Sequence, residues 1–281
     1  MKIEILQNII DILRNKIYHL STIAEKFEGL NEQEKIETLI IGSSHLEQGF
    51  KALKDKQEYN LATTSQDLYY TYNLYKYCNS LKPKIKNIVI SFSIFTPGHS
   101  LIRTSSSNVC ILLKTIFGID YQYPDVANKK KFFILEPIYK YKINSYFKHK
   151  RTDLETKEQS ETQSNFDIAA ISKRAIKHYK NHQRPISQLP YLTKILEDTQ
   201  IKRQNVIIVI PPATSYYKQA IPSEENLFTC LYENTKPFNN VKILNYYDSN
   251  EFDDSDFFDG DHLNSKGAEK LTAFIREILY T

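Results

Sequence analysis

Two short segments near opposite ends of the chain contain residue types that suit nucleophilic catalysis. Residues 42–45 read GSSH, and residues 259–262 read DGDH just before a predicted helix. A serine hydroxyl becomes a strong nucleophile when a histidine takes its proton and a carboxylate orients that histidine. An aspartate three residues before a histidine can reach its ring nitrogen. Together the segments predict Ser44 as nucleophile, His262 as general base and Asp259 as its partner.

Each segment also has a plainer interpretation when it is taken alone. Gly-Ser-Ser is a common polar turn, and Asp259, Asp261 or Ser265 can cap the helix that follows. Asp261 can do so without competing for the histidine. His45 directly follows the nucleophile, and it either lines the substrate pocket or has a structural role.

Apolar runs separated by helical patterns predict the elements that position these residues. The runs begin at or near Thr38, Tyr59, Asn87, Asn205 and Val241. Such strands indicate a parallel sheet with helices on both faces. The predicted fold class is α/β, a three-layer α/β/α (flavodoxin-like) architecture with a central parallel sheet of about five strands. Ligands bind at the carboxyl ends of such strands, which is where the GSSH segment lies.

Helical patterns cover much of the remaining chain. An amphipathic helix is predicted over residues 4–28, a Tyr-rich helix ends near Cys78, and a final helix runs from about Ser265 to Tyr280. We expect one domain over residues 1–281, with an N-terminal helix in residues 1–30.

Residues of about 120–200 look like a helical or partly mobile insertion, either a lid over the site or an assembly surface. Within it, residues 132–147 and 168–178 have helical patterns. Residues 149–165 have almost no large apolar side chains, which predicts a mobile surface segment.

The order of the two catalytic segments resembles the SGNH/GDSL hydrolase superfamily, where a nucleophile block comes early and an Asp-x-x-His block comes last. Residues 60–72 (NLATTSQDLYYTY) and the strand from Asn87 are similar to a subgroup with Gly-Ser-Ser-His in place of Gly-Asp-Ser-Leu. Members of that subgroup are similar to proteins encoded with systems that acylate cell-envelope polysaccharides. The resemblance covers roughly residues 35–100 and 200–280, and it implies that Ser44 attacks an acyl carbonyl.

The resemblance also implies an oxyanion hole that this sequence completes only in part. The family uses the N–H of the nucleophile, here Ser44, a glycine N–H from the second block and an asparagine amide from the third. Ser65 stands where the glycine would be, and its backbone N–H can serve. Residues 91–98 (SFSIFTPG) contain no asparagine. We expect Ser93 or Gln66 to replace it; losing one donor costs about 10²–10³-fold in turnover.

Four residues near the nucleophile are predicted to bind substrate: His45, Asn60, Tyr69 and Tyr70. Asn60 is expected mainly to order its loop by hydrogen bonding to backbone. The tyrosine rings can stack on sugars, although tyrosines at helical spacing also suit core packing.

The predicted function is an acyl-ester enzyme, an O-acyltransferase or an esterase with acetyl as the expected group, acting on a surface carbohydrate through an acyl-serine. No cofactor is predicted, apart from acetyl-CoA as donor if the enzyme is a transferase. One alternative is a glycan-binding or assembly protein that kept the fold and lost activity. A phosphodiester-cleaving or lipid-acting enzyme is another.

Composition excludes several other classes of protein. The net charge is +4, from 37 Lys and Arg against 33 Asp and Glu, without the concentrated basic stripe of a nucleic-acid binder. No apolar stretch reaches the roughly 18 residues of a membrane span. The three cysteines are far apart, which indicates a reducing compartment, and a cytoplasmic protein is expected. The acidic residues from Glu251 to Asp261 do not follow an EF-hand pattern, and no metal is predicted.

Overall fold

Five short strands form the parallel sheet that the sequence predicts. Their order is β2-β1-β3-β4-β5, and every neighbouring pair is parallel. This is the flavodoxin-like order, so the α/β prediction is confirmed. The strands are β1 (Thr38–Ile41), β2 (Glu58–Asn60), β3 (Asn87–Ser91), β4 (Asn205–Ile210) and β5 (Val241–Asn245).

The computed structural model describes residues 19–122, 126–149, 166–184, 187–223 and 225–280. Residues 1–18 of the predicted N-terminal helix, and all but the first residue of the predicted mobile segment 149–165, lie outside the described residues. The described helices are α1 (residues 19–32), α2 (Ser44–Gly49), α3 (Leu68–Leu81), α4 (Val109–Phe117), α5 (Val126–His149), α6 (Ile168–His182), α7 (Leu189–Ile201), α8 (Ser215–Gln219), α9 (Thr229–Thr235) and α10 (Ser265–Leu279).

The chain divides into two compact units. The sheet unit comprises residues 34–100 and 159–281, and it contains all five strands. The helical unit comprises residues 1–33 and 101–158; in it α4 packs against α5, and the ring of Phe27 meets the rings of Phe117 and Phe147 edge-on. The predicted insertion is therefore divided, because α5 belongs to the helical unit while α6 and α7 belong to the sheet unit.

Helices bury both faces of the sheet. On one face, Ile40 and Val89 pack in a core with Leu46 of α2 and with Leu271 and Ile275 of α10. The alternate strand residues are buried as well, among them Leu39, Ile88 and Ile208. Helix α3 contacts β1, helix α7 contacts β4, and the two helices contact each other. Burial on both faces explains why the three central strands, β1, β3 and β4, are mostly apolar.

The second strand shows how pairing continues past an assigned strand end. The N–H of Leu61 donates to the carbonyl of Ile40 at 2.8 Å, and the N–H of Thr63 donates to the carbonyl of Gly42 at 3.0 Å. The chain after β2 therefore follows the chain after β1, and it reaches the end predicted near Thr63.

Among the helices in the described ranges, none has an apolar stretch of the length that a membrane span needs.

Gly42 allows the chain to turn directly from β1 into α2. Its φ of +124° lies in a region that L side chains rarely adopt. A Cβ at this position would lie 2.3 Å from the Ser91 Oγ. The same Oγ accepts a hydrogen bond from the N–H of Ser43 at 2.8 Å. The turn therefore packs directly on β3, and only glycine fits it.

We expect Gly42→Ala to lower the free energy of unfolding by roughly 3 kcal/mol or more, because it adds both backbone strain and a steric clash. Gly118→Ala is the matched control, since Gly118 also has positive φ (+70°) but has no atom within 4 Å of a built Cβ. The control should lose only about 1 kcal/mol. Urea denaturation of both variants measures the difference, and equal losses would contradict the close approach to Ser91.

Candidate active site

Ser44, His262 and Asp259 form one continuous chain of hydrogen bonds. The Ser44 Oγ lies 2.8 Å from the His262 Nε2, across 218 positions of sequence. The His262 Nδ1 lies 2.9 Å from one Asp259 carboxylate oxygen and 3.1 Å from the other. A carboxylate can only accept, so the Nδ1 carries the proton and donates it, and the Nε2 is left to accept from the serine. The structure thus brings together the three residues that the sequence predicts.

Ser44 is the first residue of α2, and Ser43 is the N-cap. N–H groups in the first turn of a helix have no partner within the helix. The Ser44 N–H makes no hydrogen bond to the described part of the chain. It is therefore available to an oxygen placed beside the hydroxyl.

A tight loop before α10 shapes the Asp259–His262 pair. One Asp259 oxygen accepts the N–H of Asp261 at 3.0 Å and of His262 at 2.8 Å. Asn264, rather than Asp259, Asp261 or Ser265, is the N-cap of α10, and its side chain accepts from the N–H of Gly267. The structure therefore excludes helix capping as the purpose of the two aspartates.

A second histidine–aspartate pair lies against the first. The His45 Nε2 is 3.1 Å from an Asp261 oxygen, and the His45 ring stacks on the His262 ring with centroids 5.2 Å apart. The His45 Nδ1 lies 2.9 Å from the Ser93 Oγ and 3.1 Å from the Ser43 Oγ. Every polar atom of the buried His45 ring therefore has a protein partner, which supports the structural alternative for this residue.

Helix α6 places Arg174 over the same group. The Arg174 Nε forms an ion pair with Asp261 at 2.7 Å, and its NH1 lies 3.7 Å from Asp259. Its NH2 is 3.3 Å from both ring nitrogens of His262, so the guanidinium lies across the ring face. Further along α6, the His178 Nδ1 is 2.7 Å from the Tyr217 hydroxyl.

Burial and charge act in opposite directions on His262. Burial alone lowers its pKa, but the charge of Asp261 and the hydrogen bond and charge of Asp259 together raise the pKa above its ordinary value. Burial raises the pKa of both carboxyl groups, but nearby His262 and Arg174 outweigh it, and both pKa values end below normal.

Two other histidines of this group, His45 and His178, stay neutral. Burial lowers the pKa of His45, and it lowers the pKa of His178 to about 3. With His45 and His178 neutral, the fixed charges that contact His262 are two carboxylates and one guanidinium. The group therefore has one excess negative charge, which protonation of His262 would neutralise.

The expected oxyanion-hole donors differ in whether other residues already bind them. The Ser65 N–H makes no hydrogen bond to described residues, and its carbonyl is held by His99 at 2.9 Å. The Ser93 hydroxyl contacts His45, and the Ser93 N–H donates to Thr96 at 2.9 Å. Ser93 is therefore not the expected replacement for the missing asparagine.

Gln66 is not that replacement either. Its Nε2 donates to the Thr71 hydroxyl at 2.9 Å, and its Oε1 accepts from the Thr63 hydroxyl at 2.9 Å. The buried amide thus ties the loop at Thr63 to the first turn of α3 at Thr71. Ser44 and Ser65 remain as the two predicted N–H donors.

The predicted substrate contacts need a similar correction. Tyr70 is fully buried, so it belongs to the core. Tyr69 is half-buried, and its ring packs edge-on against Tyr70 and Tyr191. The Asn60 amide donates to the carbonyls of Leu46 and Phe50, at 2.7 and 2.9 Å. Asn60 therefore holds the end of α2, as its expected loop-ordering role requires, and the tyrosines follow the packing alternative.

One group of the described residues has atoms close enough to ligate a metal. His45, Asp261 and His262 each offer an atom within 4.8 Å of the others. Those atoms already bind Ser93, Arg174, Asp259 or Ser44. These contacts give the three side chains places in the catalytic group, and no metal is assigned to them.

No family model matches the chain, and no curated protein matches it in sequence. Solved structures give weak likenesses. A proposed platelet activating factor from Streptococcus pneumonia is 12% identical, with a TM-score of 0.49 over 98% of this chain and 99% of that chain. A proposed acylhydrolase from Bacteroides fragilis is 10% identical, with a TM-score of 0.43 over 90% and 92%.

A GDSL-like lipase from Bacteroides thetaiotaomicron is 8% identical, with a TM-score of 0.42 over 92% of this chain and 96% of that chain. At such identities and scores, these names say nothing further about this chain. The assignment of its site rests on the geometry of its own residues.

We expect Asp261→Asn to lower the pKa of His262, because it removes a nearby negative charge and leaves the Arg174 charge over the ring unopposed. NMR titration of the His262 ring measures this pKa directly. Asp256→Asn is the matched control, since Asp256 is also buried but pairs with Lys270 and Lys266. An unchanged His262 pKa in Asp261→Asn, or the same change in the control, would contradict the electrostatic account.

Proposed function

We propose that this chain is a serine-dependent acyl-ester enzyme with Ser44 as nucleophile. The observation that carries the proposal is the hydrogen bond of 2.8 Å from the Ser44 hydroxyl to the His262 Nε2, with Asp259 bound to the other ring nitrogen. This supports the resemblance to SGNH/GDSL hydrolases. It also counts against an inactive glycan-binding protein, because a binding protein has no need for this alignment.

The mechanism follows from the positions of the atoms. The His262 Nε2 takes the hydroxyl proton while the Ser44 Oγ attacks the acyl carbonyl carbon. The carbonyl oxygen becomes negative, and the free N–H groups of Ser44 and Ser65 are the donors that stabilise it. His262 then returns the proton to the leaving alcohol, which departs and leaves an acyl-serine.

A second nucleophile releases the acyl group. His262 takes a proton from water or from a hydroxyl, whose oxygen attacks the acyl-serine, and it then returns that proton to the Ser44 oxygen. Water makes the enzyme an esterase, whereas a sugar hydroxyl makes it an O-acyltransferase. The same residues serve both reactions, because only the incoming nucleophile differs.

The charges around His262 favour this chemistry. The histidine becomes positive each time it holds the proton. Asp259 and Asp261 together exceed the charge of Arg174 by one, so the imidazolium completes a neutral group. Such fixed charges stabilise the transition state without having to reorganise.

In its finer form, the proposal is acetyl transfer to, or acetyl removal from, a surface carbohydrate, with acetyl-CoA as donor if the enzyme is a transferase. The Gly-Ser-Ser-His resemblance motivates the carbohydrate. The buried position of Ser44, only 7% exposed, favours a small acyl group. The asparagine amide of the family's third block is missing here, and its absence motivates acyl transfer, rather than rapid hydrolysis, as the reaction.

We expect Ser44→Ala to reduce turnover of 4-nitrophenyl acetate at least about 10³-fold, because the nucleophile is removed. Ser43→Ala is the matched control, since it deletes the adjacent hydroxyl, which contacts Ser91 and His45 instead of His262. Initial rates measured by released nitrophenolate test both variants. If Ser44→Ala keeps the wild-type rate, or Ser43→Ala loses as much, the proposed nucleophile is wrong.

The same mechanism predicts a pH profile. Only neutral His262 can accept the proton, so kcat/KM should rise with pH through the pKa of this residue. Because the fold raises that pKa, the midpoint of the rise should lie above the ordinary histidine value of about 6.5. Steady-state kinetics from pH 5 to 9 locate it. A midpoint below the ordinary value would show that the carboxylates do not act on His262 as described.

A further inference from the structure

Arg174 presents part of its guanidinium to solvent beside the reacting groups. Its side chain is 38% exposed, whereas those of Asp261 and His262 are 2% and 8% exposed. Its NH2 and the Ser44 Oγ both lie next to the His262 Nε2, at 3.3 and 2.8 Å. A small molecule bound to Ser44 is therefore within reach of the guanidinium.

The guanidinium has its one short contact on the Nε edge. The Nε pairs with the buried Asp261 at 2.7 Å, while the NH1 stays 3.7 Å from Asp259, beyond hydrogen-bond distance. The NH2 lies over a ring whose Nδ1 carries a proton and whose Nε2 accepts from Ser44. The terminal N–H groups thus have only long contacts to these neighbours, of 3.3 Å or more, and a planar pair of such groups matches the oxygens of a carboxylate or phosphate.

Packing fixes α6 against the loop that contains Asp261. Gly260 approaches so closely that a Cβ there would lie 2.8 Å from Ile171, one turn before Arg174. The carbonyl of Gly260 accepts the N–H of Thr214 at 3.0 Å. One turn after Arg174, His178 binds the Tyr217 hydroxyl. The guanidinium is therefore held in place before any ligand arrives, which reduces the entropy lost on binding.

The charge of α6 has one sign. Residues 168–182 contain no aspartate or glutamate. The exposed Lys173 and Lys177 form no ion pair with described residues. Arg174 is the one of these cations that contacts the catalytic group, and the exposed lysines, screened by solvent, add only weakly to the field there.

A guanidinium over the catalytic imidazole has a cost, because its charge opposes formation of the imidazolium. Asp261 offsets that cost. Asp261 also favours the protonated form of His262, but no step of the ester chemistry uses Arg174 itself, so recognition of the substrate gives the arginine a purpose.

Building on the proposed ester chemistry, we propose that Arg174 is a specificity residue for acyl esters that carry an anionic group, such as a carboxylate, phosphate or sulfate, close to the scissile bond. On a carbohydrate, an O-acylated acidic sugar fits this description.

The test compares two substrates that differ in one group, O-acetylated methyl glucuronide and O-acetylated methyl glucoside, by measuring released acetate. Arg174→Gln should lower the glucuronide-to-glucoside ratio of kcat/KM about tenfold or more, because a charge-assisted hydrogen bond is lost. General damage to His262 affects both substrates, so the ratio isolates recognition. Lys173→Gln, which removes one exposed charge from the same helix, should keep the wild-type ratio.

An unchanged ratio in Arg174→Gln would overturn the inference, as would an equal fall in Lys173→Gln. Failure of the proposed function has a different signature, which is that wild type releases no acetate from either sugar in a Ser44-dependent way. Calorimetric binding of unacetylated methyl glucuronide then decides on Arg174 alone. Binding about tenfold weaker in Arg174→Gln supports the site, and equal binding refutes it.

Discussion

The site depends on a negative charge that the protein keeps in its interior. Asp261 is almost completely buried, yet its carboxyl stays ionised because Arg174, His45 and His262 surround it. A buried carboxylate without such partners would take up a proton instead. Its charge holds the guanidinium of α6 and one ring nitrogen of His45, and it favours protonation of His262. Helix α2, helix α6 and the loop before α10 therefore meet at the Asp261 carboxylate.

The fold supplies this meeting point through the parallel sheet. Ser44 follows β1 within three residues, Ser93 follows β3 within two, and Thr214 follows β4 within four. Carboxyl ends of parallel strands share one edge of a sheet, so these residues converge although they are distant in sequence. The loop before α10 then places Asp259 and His262 at the same edge. The close contact of Gly42 with Ser91 keeps the first turn tight enough for Ser44 to face His262.

The sequence was sufficient for the elements whose pattern is local. Apolar runs predicted β1, β3, β4 and β5, and a short strand was predicted close to the observed β2. The final helix was predicted to within a residue of Ser265–Leu279. The Ser44, His262 and Asp259 grouping was predictable because a nucleophile and an Asp-x-x-His pair follow from chemistry and spacing. The order of the strands in the sheet was not predicted, since spacing alone does not fix it.

Other parts depend on long-range contacts that no spacing records. Arg174 lies in a predicted helix, but nothing local shows that α6 packs against the loop at Gly260. Asp261 was considered as a cap, and its ion pair became visible only with Arg174 in place. Gln66 was expected in the oxyanion hole, yet its amide donates to the Thr71 hydroxyl of α3, and Tyr70 lies in the core. The same type of side chain can serve core packing or substrate recognition, and its tertiary contacts determine which role it has.

The most direct test of the account is covalent labelling by a 4-nitrophenyl alkylphosphonate, with the modified residue identified by peptide mass spectrometry. The account predicts one adduct per chain, on Ser44, formed at a rate that His262→Ala reduces strongly while leaving the chain folded. A label on another serine, no label at all, or equal labelling rates with and without His262 would contradict the claim that His262 activates Ser44.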